Sequence, residues 1–541
     1  METSPLSCYH KIMEEKKRLP LGVQDFAKLI EDDFLYIDKT DLIYDLVHNN
    51  QAVFLSRPRR FGKSLLLSTI KYYFLGKKEL FRGLAIEKLE EESKEPWAEY
   101  PVLYFDFNGQ NYGLFDGLDI ILENHLKNWE QLYGVTDIID SPSIRFENII
   151  KAAFEKTGKR VVVLVDEYDK PLLETMIIHS DIEEKNRATF KGVFGVLKKM
   201  DAYLQFYMFT GVTKFSKVSI FSDLNQLTDI SLSEKYSTIC GISQDELQTS
   251  FSPYIDSIAN RFQLTHEQCY DELKQMYDGY HFCGEGEGLY NPYSLLHAFD
   301  ENKFGAYWFE SGTPTFLIAK LKTSKVDVRL FLNEIKISEV QLKDYRPENP
   351  DPTPLFYQSG YLTIKSYNLR QNSYKLGFPN NEVKYGFLES LAPSYLNVED
   401  KPSPVKIDIL DDAVEAGDTE GIKNWFRALF AILPYPTGNA EIIDTTTEQN
   451  FQNVIFMAFT LLGKYVRTEV HSAKGRADCI LETDDYVYIF EFKRDIPASQ
   501  ALEQIKSQGY ATPYAADKRK LFKIGINFSS AERNITEWLV E

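Results

Sequence analysis

Three polar side chains near the end of this 541-residue chain have the spacing of a metal-assisted hydrolytic site. Glu491 and Lys493 lie two residues apart in the apolar run Tyr486–Lys493 (YVYIFEFK), so on a strand they share one face. Val487 and Ile489 precede them on that face. Asp478 sits in the preceding run, Gly475–Leu481 (GRADCIL), and Thr483–Asp485 forms a polar turn between the two. The pattern predicts a hairpin, which brings Asp478 beside Glu491. Two carboxylates suit a hard cation such as Mg²⁺, bound through one or two of them plus water and substrate phosphate. Such an ion activates water and stabilises charge on phosphorus, while Lys493 positions the nucleophile or polarises the transition state. Glu-x-Lys alone is usually a surface ion pair. The upstream Asp478 and the apolar flanks set this one apart, because a buried carboxylate with no metal or partner is expensive. Glu448, in the helical run EQNFQNVIFMAFTLLG, is a candidate third carboxylate, although a charge at a helix N-terminus explains it equally well. Gln504, in SQALEQIKSQGY, is a candidate lining residue from the next helix, with ordinary helix surface as the competing explanation.

A second constellation lies near the start. The strand-like Ala52–Ser56 (AVFLS) runs into Arg57-Pro58-Arg59-Arg60-Phe61-Gly62-Lys63-Ser64, then into a helical stretch ended by Gly76. Strand, tight loop and Gly-Lys-Ser opening a helix form a phosphate cradle. Backbone N–H groups around Gly62 face the phosphates, Lys63 reaches the β and γ oxygens, and the Ser64 hydroxyl ligates Mg²⁺. The pattern G-x-x-x-x-G-K-[ST] asks for glycine where this chain has Arg57, which changes the backbone conformations open to the loop. Val161–Val165 leads at once into Asp166-Glu167. There Asp166 is expected to hold Mg²⁺ through water, and Glu167 to orient or deprotonate the attacking water. The run Leu204–Phe209 ends near Thr213, a candidate γ-phosphate contact. Arg57, Arg59 and Arg60 are candidate phosphate donors, since guanidinium forks match phosphate oxygens; a solvated basic loop is the alternative. ATP is the expected nucleotide.

These residues need elements to position them. From Leu21 to about Ile230, short apolar runs alternate with amphipathic stretches, the pattern of an α/β domain with a largely parallel sheet. Its candidate strands are Ala52–Ser56, Val102–Phe107, Val161–Val165 and Leu204–Phe209, three of them almost continuously apolar, as when helices cover both faces. Residues 1–19 read as a charged lead-in, 20–240 as the phosphate-binding domain and 241–300 as a helical lid. Residues 301–438 form a mixed middle region, and 439–541 the last α/β domain. The length requires roughly three or four folding units. No run approaches the ~20 apolar residues of a membrane span. The opening stretch lacks the apolar core of a secretory signal. A cytoplasmic protein is expected. Five scattered cysteines, never paired as CxxC, argue against disulfides and zinc. The net charge of −19 counts against a general nucleic-acid coat protein. The last hundred residues are nearly balanced, however, and can carry a local basic groove.

The stretches LPLGVQDF, YIDKTDLI, SRPRRFGKSLLLSTI, VVVLVDEYDKP, YDGYHF, LYNPYSLL, FYQSGYLTI, GRADCIL, YIFEFK and ALEQIKSQGYA resemble one bacterial family across nearly the whole chain. That family joins an AAA-ATPase-like domain to a C-terminal PD-(D/E)XK nuclease domain. The resemblance implies an ASCE-type P-loop sheet with a helical lid, followed by a restriction-endonuclease-like α/β domain. It makes RPRRFGKS a family trait in place of a full Walker A. Asp166 and Glu167 match the Walker B pair, Asp478, Glu491 and Lys493 match the nuclease core, and Gln504 falls in the helix motif after it. The expected activity is Mg²⁺-dependent cleavage of phosphodiester bonds, in DNA rather than RNA, gated by ATP, with a homo-oligomer as one route to gating. The rival is a nucleotide-dependent switch whose last domain binds nucleic acid or protein without cutting.

Overall fold

The computed structural model describes residues 16–93, 97–136, 139–176, 180–214, 226–310, 335–343, 351–387, 407–432, 455, 458–459, 465–471 and 476–541. It divides into two compact units. The first takes residues 1–308 and 336–380, and the second 309–335 and 381–541.

A five-stranded parallel sheet organises the first unit. Its strands are β1 (Ala52–Ser56), β2 (Val102–Asp106), β3 (Val161–Asp166), β4 (Leu204–Gly211) and the two-residue β5 (Thr228–Asp229), in the order β2-β3-β4-β1-β5. Every residue of β1 and β3 is buried, which is why both read as unbroken apolar runs. β4 lies between β1 and β3, as in the ASCE-type arrangement expected from the sequence. Both the phosphate loop and Asp166-Glu167 therefore leave the same, C-terminal edge of the sheet. Ligands bind at that edge in open α/β sheets.

The segment after β5 folds as four helices, Gln244–Ser250, Ser252–Phe262, His266–Tyr277 and Pro292–Glu301. Local signals fix where they start. Ser243 with Glu246 and Thr265 with Gln268 form reciprocal capping boxes, and Asn291 caps the helix that Pro292 opens. Residues 335–377 add a three-stranded sheet, β6 (Ile335–Ser338), β7 (Thr363–Asn368) and β8 (Ser373–Gly377), in the order β6-β8-β7. β7 begins at Thr363, just after a turn at Ser359 and Gly360 in which Gly360 has φ 91°.

The second unit carries a mixed sheet of β9 (Tyr465–His471), β10 (Arg476–Glu482), β11 (Tyr486–Arg494), β12 (Lys520–Ser529) and β13 (Asn534–Val540), paired in the order β13-β12-β11-β10-β9. β10 and β11 form the antiparallel hairpin, closed by Thr483. β11 and β12 run parallel, so the chain must cross over between them. The Ala498–Ser507 helix makes that crossover. It covers one sheet face through Leu502 and Ile505, which pack on Ile480, Val487 and Ile489. The helices Ile407–Glu415 and Thr419–Ile432 cover the other face, with Trp425, Phe426 and Phe430 against Phe490, Phe492 and Phe528. Among the described residues, no helix is long and apolar enough to cross a membrane.

Candidate functional site

Strand alternation sorts the residues of the second unit. Tyr488, Phe490 and Phe492 join the aromatic core on one face, leaving Val487, Ile489, Glu491 and Lys493 on the face beneath the crossover helix. In the hairpin register Cys479 pairs with Phe490, so one step further Asp478 stands opposite Glu491. The N–H of Phe492 donates to Asp478 Oδ2 at 2.9 Å and fixes that carboxylate across the strands. Lys493 Nζ lies 3.0 Å from Glu491 Oε1. Glu491 is only 1 % exposed, and among the described residues its Oε2 has no hydrogen-bond partner. Burial, together with the charge of Asp478, pushes the Glu491 carboxyl up to about 7.

An orphaned, fully buried carboxylate oxygen costs stability unless something else satisfies it. Each buried aliphatic side chain on this face contributes about 2 kcal/mol, so the surrounding core can carry that cost. The arrangement fits a divalent cation, with Glu491 Oε2 and Asp478 as the donors. Among the described residues, no group of three or more His, Cys, Asp or Glu side chains is arranged to hold a metal. Glu448 lies outside the described residues.

In the first unit Gly62 has φ 92° and caps the helix Lys63–Phe74. Lys63 is buried, and its Nζ donates to the carbonyls of Arg57 at 3.1 Å and Pro58 at 3.0 Å. Asp166 is also buried. Its Oδ1 accepts from Thr210 Oγ1 at 2.7 Å, its Oδ2 from Tyr104 Oη at 3.4 Å, and Ser64 also bonds to it. Burial pushes its carboxyl up, against the opposing pull of the Ser64 and Thr210 hydrogen bonds. Glu167 follows at φ 50°, with Lys170 Nζ 3.8 Å from its Oε2. Next to the loop, Phe61 and Gly62 border a cavity of about 120 Å³ lined largely by apolar side chains, among them Leu66, Ile242 and Leu296.

A family model for a predicted AAA-ATPase matches residues 20–221, and one for the PD-(D/E)XK nuclease superfamily matches residues 446–538. A protein of Azotobacter chroococcum mcd 1, described as an uncharacterized protein in the vnfD 5' region, is 36% identical over 535 residues, 97% of this chain and 99% of that one. The chain belongs to this AAA-ATPase-like and PD-(D/E)XK nuclease family.

Within the AAA-ATPase-like domain, two residues do something other than the sequence led us to expect. Arg57 is not a free phosphate donor. It is 1% exposed, and its guanidinium donates to the carbonyls of Ser56, Ser231, Tyr236 and Ser237. Thr213, the expected γ-phosphate contact, is fully buried and donates its hydroxyl to Asp169 Oδ2 at 2.8 Å. Arg59 is half-buried, with its carbonyl bonded by Trp308 Nε1, and the exposed Arg60 holds its guanidinium 4.9 Å from the ring centre of Tyr293. In the PD-(D/E)XK domain, Gln504 is half-buried on the crossover helix and donates to Tyr510 Oη at 3.3 Å, not to either carboxylate.

Sequence reasoning passed over four neighbours of these sites. Asp169, Tyr104 and Thr210 hold the strand ends of the ATPase-like domain. The third acid in Asp166-Glu167-Tyr168-Asp169 was the available signal for Asp169. Gly525 on β12 pairs in register with Glu491, and a Cβ there would meet Ala498 O at 2.5 Å. An isolated glycine inside a strand run signals this kind of close backbone approach.

Proposed function

We propose that this chain binds and hydrolyses ATP in its first unit and that its second unit cleaves phosphodiester bonds, in DNA, with Mg²⁺. The observation that carries the reading is the unpartnered, buried Oε2 of Glu491, with Asp478 across the hairpin and Lys493 alongside. A bound Mg²⁺ supplies Lewis acidity and a water of lowered pKa. Asp478 and Glu491 are the residues to hold it. Phe492 N–H keeps Asp478 in place, and the Lys493 ammonium stabilises negative charge developing on the phosphate. The crossover helix shields the inner side of the pair from bulk water.

For the nucleotide, Lys63, Ser64 and the N–H groups after Gly62 are suited to the phosphates, and Asp166 to a magnesium shell. The apolar cavity beside Gly62 is suited to a base. Glu167 is the residue proposed to orient water. The proposed division is 20–240 for the ATPase domain and 439–541 for the nuclease domain.

Incubation with DNA and Mg²⁺, with and without ATP, tests this reading. Cleavage is expected from the wild type and is lost in Asp478→Ala and Glu491→Ala; equal cleavage by all three sinks it. The net charge of −19 favours a second reading, a nucleotide-dependent switch that binds a partner without cutting. Nucleotide-dependent partner binding with no cleavage under Mg²⁺, Mn²⁺ or Ca²⁺ would support that alternative.

A further inference from the structure

The phosphate loop departs from the G-x-x-x-x-G-K-[ST] pattern at Arg57, and the backbone shows why it can. Its left-handed positions are Arg60 (φ 66°) and Gly62 (φ 92°), and Arg57 is not among them. Position 57 therefore needs no glycine for conformational reasons. Its N–H continues the sheet ladder by donating to Gly211 O at 3.1 Å.

The side chain is then free to do other work. Arg57 Nη1 donates to Ser56 O and Ser231 O, each at 2.9 Å, and Nη2 to Tyr236 O at 3.2 Å and Ser237 O at 3.4 Å. The guanidinium carbon lies 4.0 Å from the ring centre of Phe282. Among the described residues no carboxylate comes within ion-pair distance of it and Nε has no partner, so the buried cation rests on carbonyls at Nη1 and Nη2 and on a ring face. Lys63, which must reach the phosphates, rests on the carbonyls of Arg57 and Pro58.

The neighbouring loop residues are held from the same side. A Cβ on Gly360 would fall 2.6 Å from Pro58 Cβ, and Phe61 sits edge-on to Tyr280 and Phe282. The motifs YDGYHF and FYQSGYLTI, to which no chemistry was assigned, thus form a socket for the loop.

We propose that Arg57 is a positioning residue for nucleotide binding. Its fork fastens the loop to residues 231–237 and Phe282 and so fixes the carbonyl perch from which Lys63 reaches a phosphate. This rests on the nucleotide-binding reading above. It follows that restoring the pattern's glycine weakens binding instead of improving it.

The test is the affinity of the full chain for a fluorescent ATP analogue, measured where circular dichroism of every variant overlays the wild type. Arg57→Gly is expected to raise Kd by about tenfold or more, the worth of a charge-assisted hydrogen bond or two. Arg57→Lys, which keeps the charge and loses the fork, falls between. Gly360→Ala, which pushes on Pro58 from the socket side, also raises Kd and carries the test if Arg57→Gly does not fold. Lys63→Ala is the reference for lost phosphate contact. If Lys63→Ala is deficient while Arg57→Gly and Gly360→Ala bind as tightly as wild type, the positioning role is overturned. If wild type and Lys63→Ala bind alike, the nucleotide reading fails and takes this proposal with it.

Discussion

Glu491 Oε1 accepts from Lys493 Nζ at 3.0 Å, while the other oxygen of the same carboxylate, in a residue 1 % exposed, has no hydrogen-bond partner among the described residues. This asymmetry makes the site sensitive to pH. Burial beside Asp478 raises the folded-state carboxyl to about 7 from its ordinary 4.5. A carboxyl raised on folding leaves stability intact below its unfolded value and takes it away as pH climbs through the folded one. The metal-free second unit should therefore melt at a lower temperature at about pH 8 than at about pH 5.5. Mg²⁺ should recover the loss at the higher pH, and Glu491→Gln should flatten both effects. Calorimetry with and without chelator measures this. Parallel pH curves for wild type and Glu491→Gln would contradict it.

Lys493 donates a hydrogen bond to that carboxylate, so its removal acts on both stability and chemistry. Lys493→Met should push Glu491 higher still and cost roughly 1–3 kcal/mol where the carboxylate is ionised. The cost should shrink near pH 5.5, where Glu491 is already neutral. Cleavage should fall by about 100-fold or more, through lost charge stabilisation. Urea melts at the two pH values and a DNA cleavage assay separate the effects. A destabilisation independent of pH would mean that Lys493 matters for packing alone.

Gly525 sets how closely the crossover helix lies over Glu491. It pairs with Glu491 in the parallel register, and a Cβ there would meet Ala498 O at 2.5 Å and Leu502 N at 2.8 Å. Both are backbone atoms, so a rotamer change cannot make room. Gly525→Ala should destabilise by roughly 1–3 kcal/mol through overpacking, and lift the helix. Cleavage should drop with it as water reaches the pair. Wild-type stability in Gly525→Ala would show that the helix yields freely.

These contrasts mark what the sequence made legible. Period-two alternation in YVYIFEFK is a local property, so it told which side chains share a face before any fold was known. The buried runs AVFLS and VVVLV likewise announced β1 and β3. The two-residue β5 carries too little pattern to read. Arg57 misled because its position suggested phosphate, whereas its partners Ser231 and Tyr236 come from well over a hundred residues downstream. Chain-distant carbonyls leave no trace in the local spacing of residue types. For Thr213 the partner is a carboxylate, Asp169, 44 residues earlier on the strand-end turn after β3, which the run ending near Thr213 could not announce.

That last pair gives a prediction that separates a phosphate contact from a structural one. Asp169 is 1% exposed, and its Oδ2 accepts from Val212 N at 3.0 Å, Thr213 N at 2.6 Å and Thr213 Oγ1 at 2.8 Å. Asp169→Ala strips an acceptor from two buried amides and a hydroxyl, and should cost about 3 kcal/mol or more. Thr213→Val removes one of those donors at nearly constant volume and should cost about 1 kcal/mol. Its effect should nearly vanish when Asp169 is already alanine, because the hydroxyl then has no carboxylate to serve. Nucleotide affinity should be unchanged in Thr213→Val. A γ-phosphate contact would give the reverse, a weakened Kd with little change in stability and full additivity with Asp169→Ala. Urea denaturation of the two single variants and the double, alongside the fluorescent nucleotide titration, decides between them.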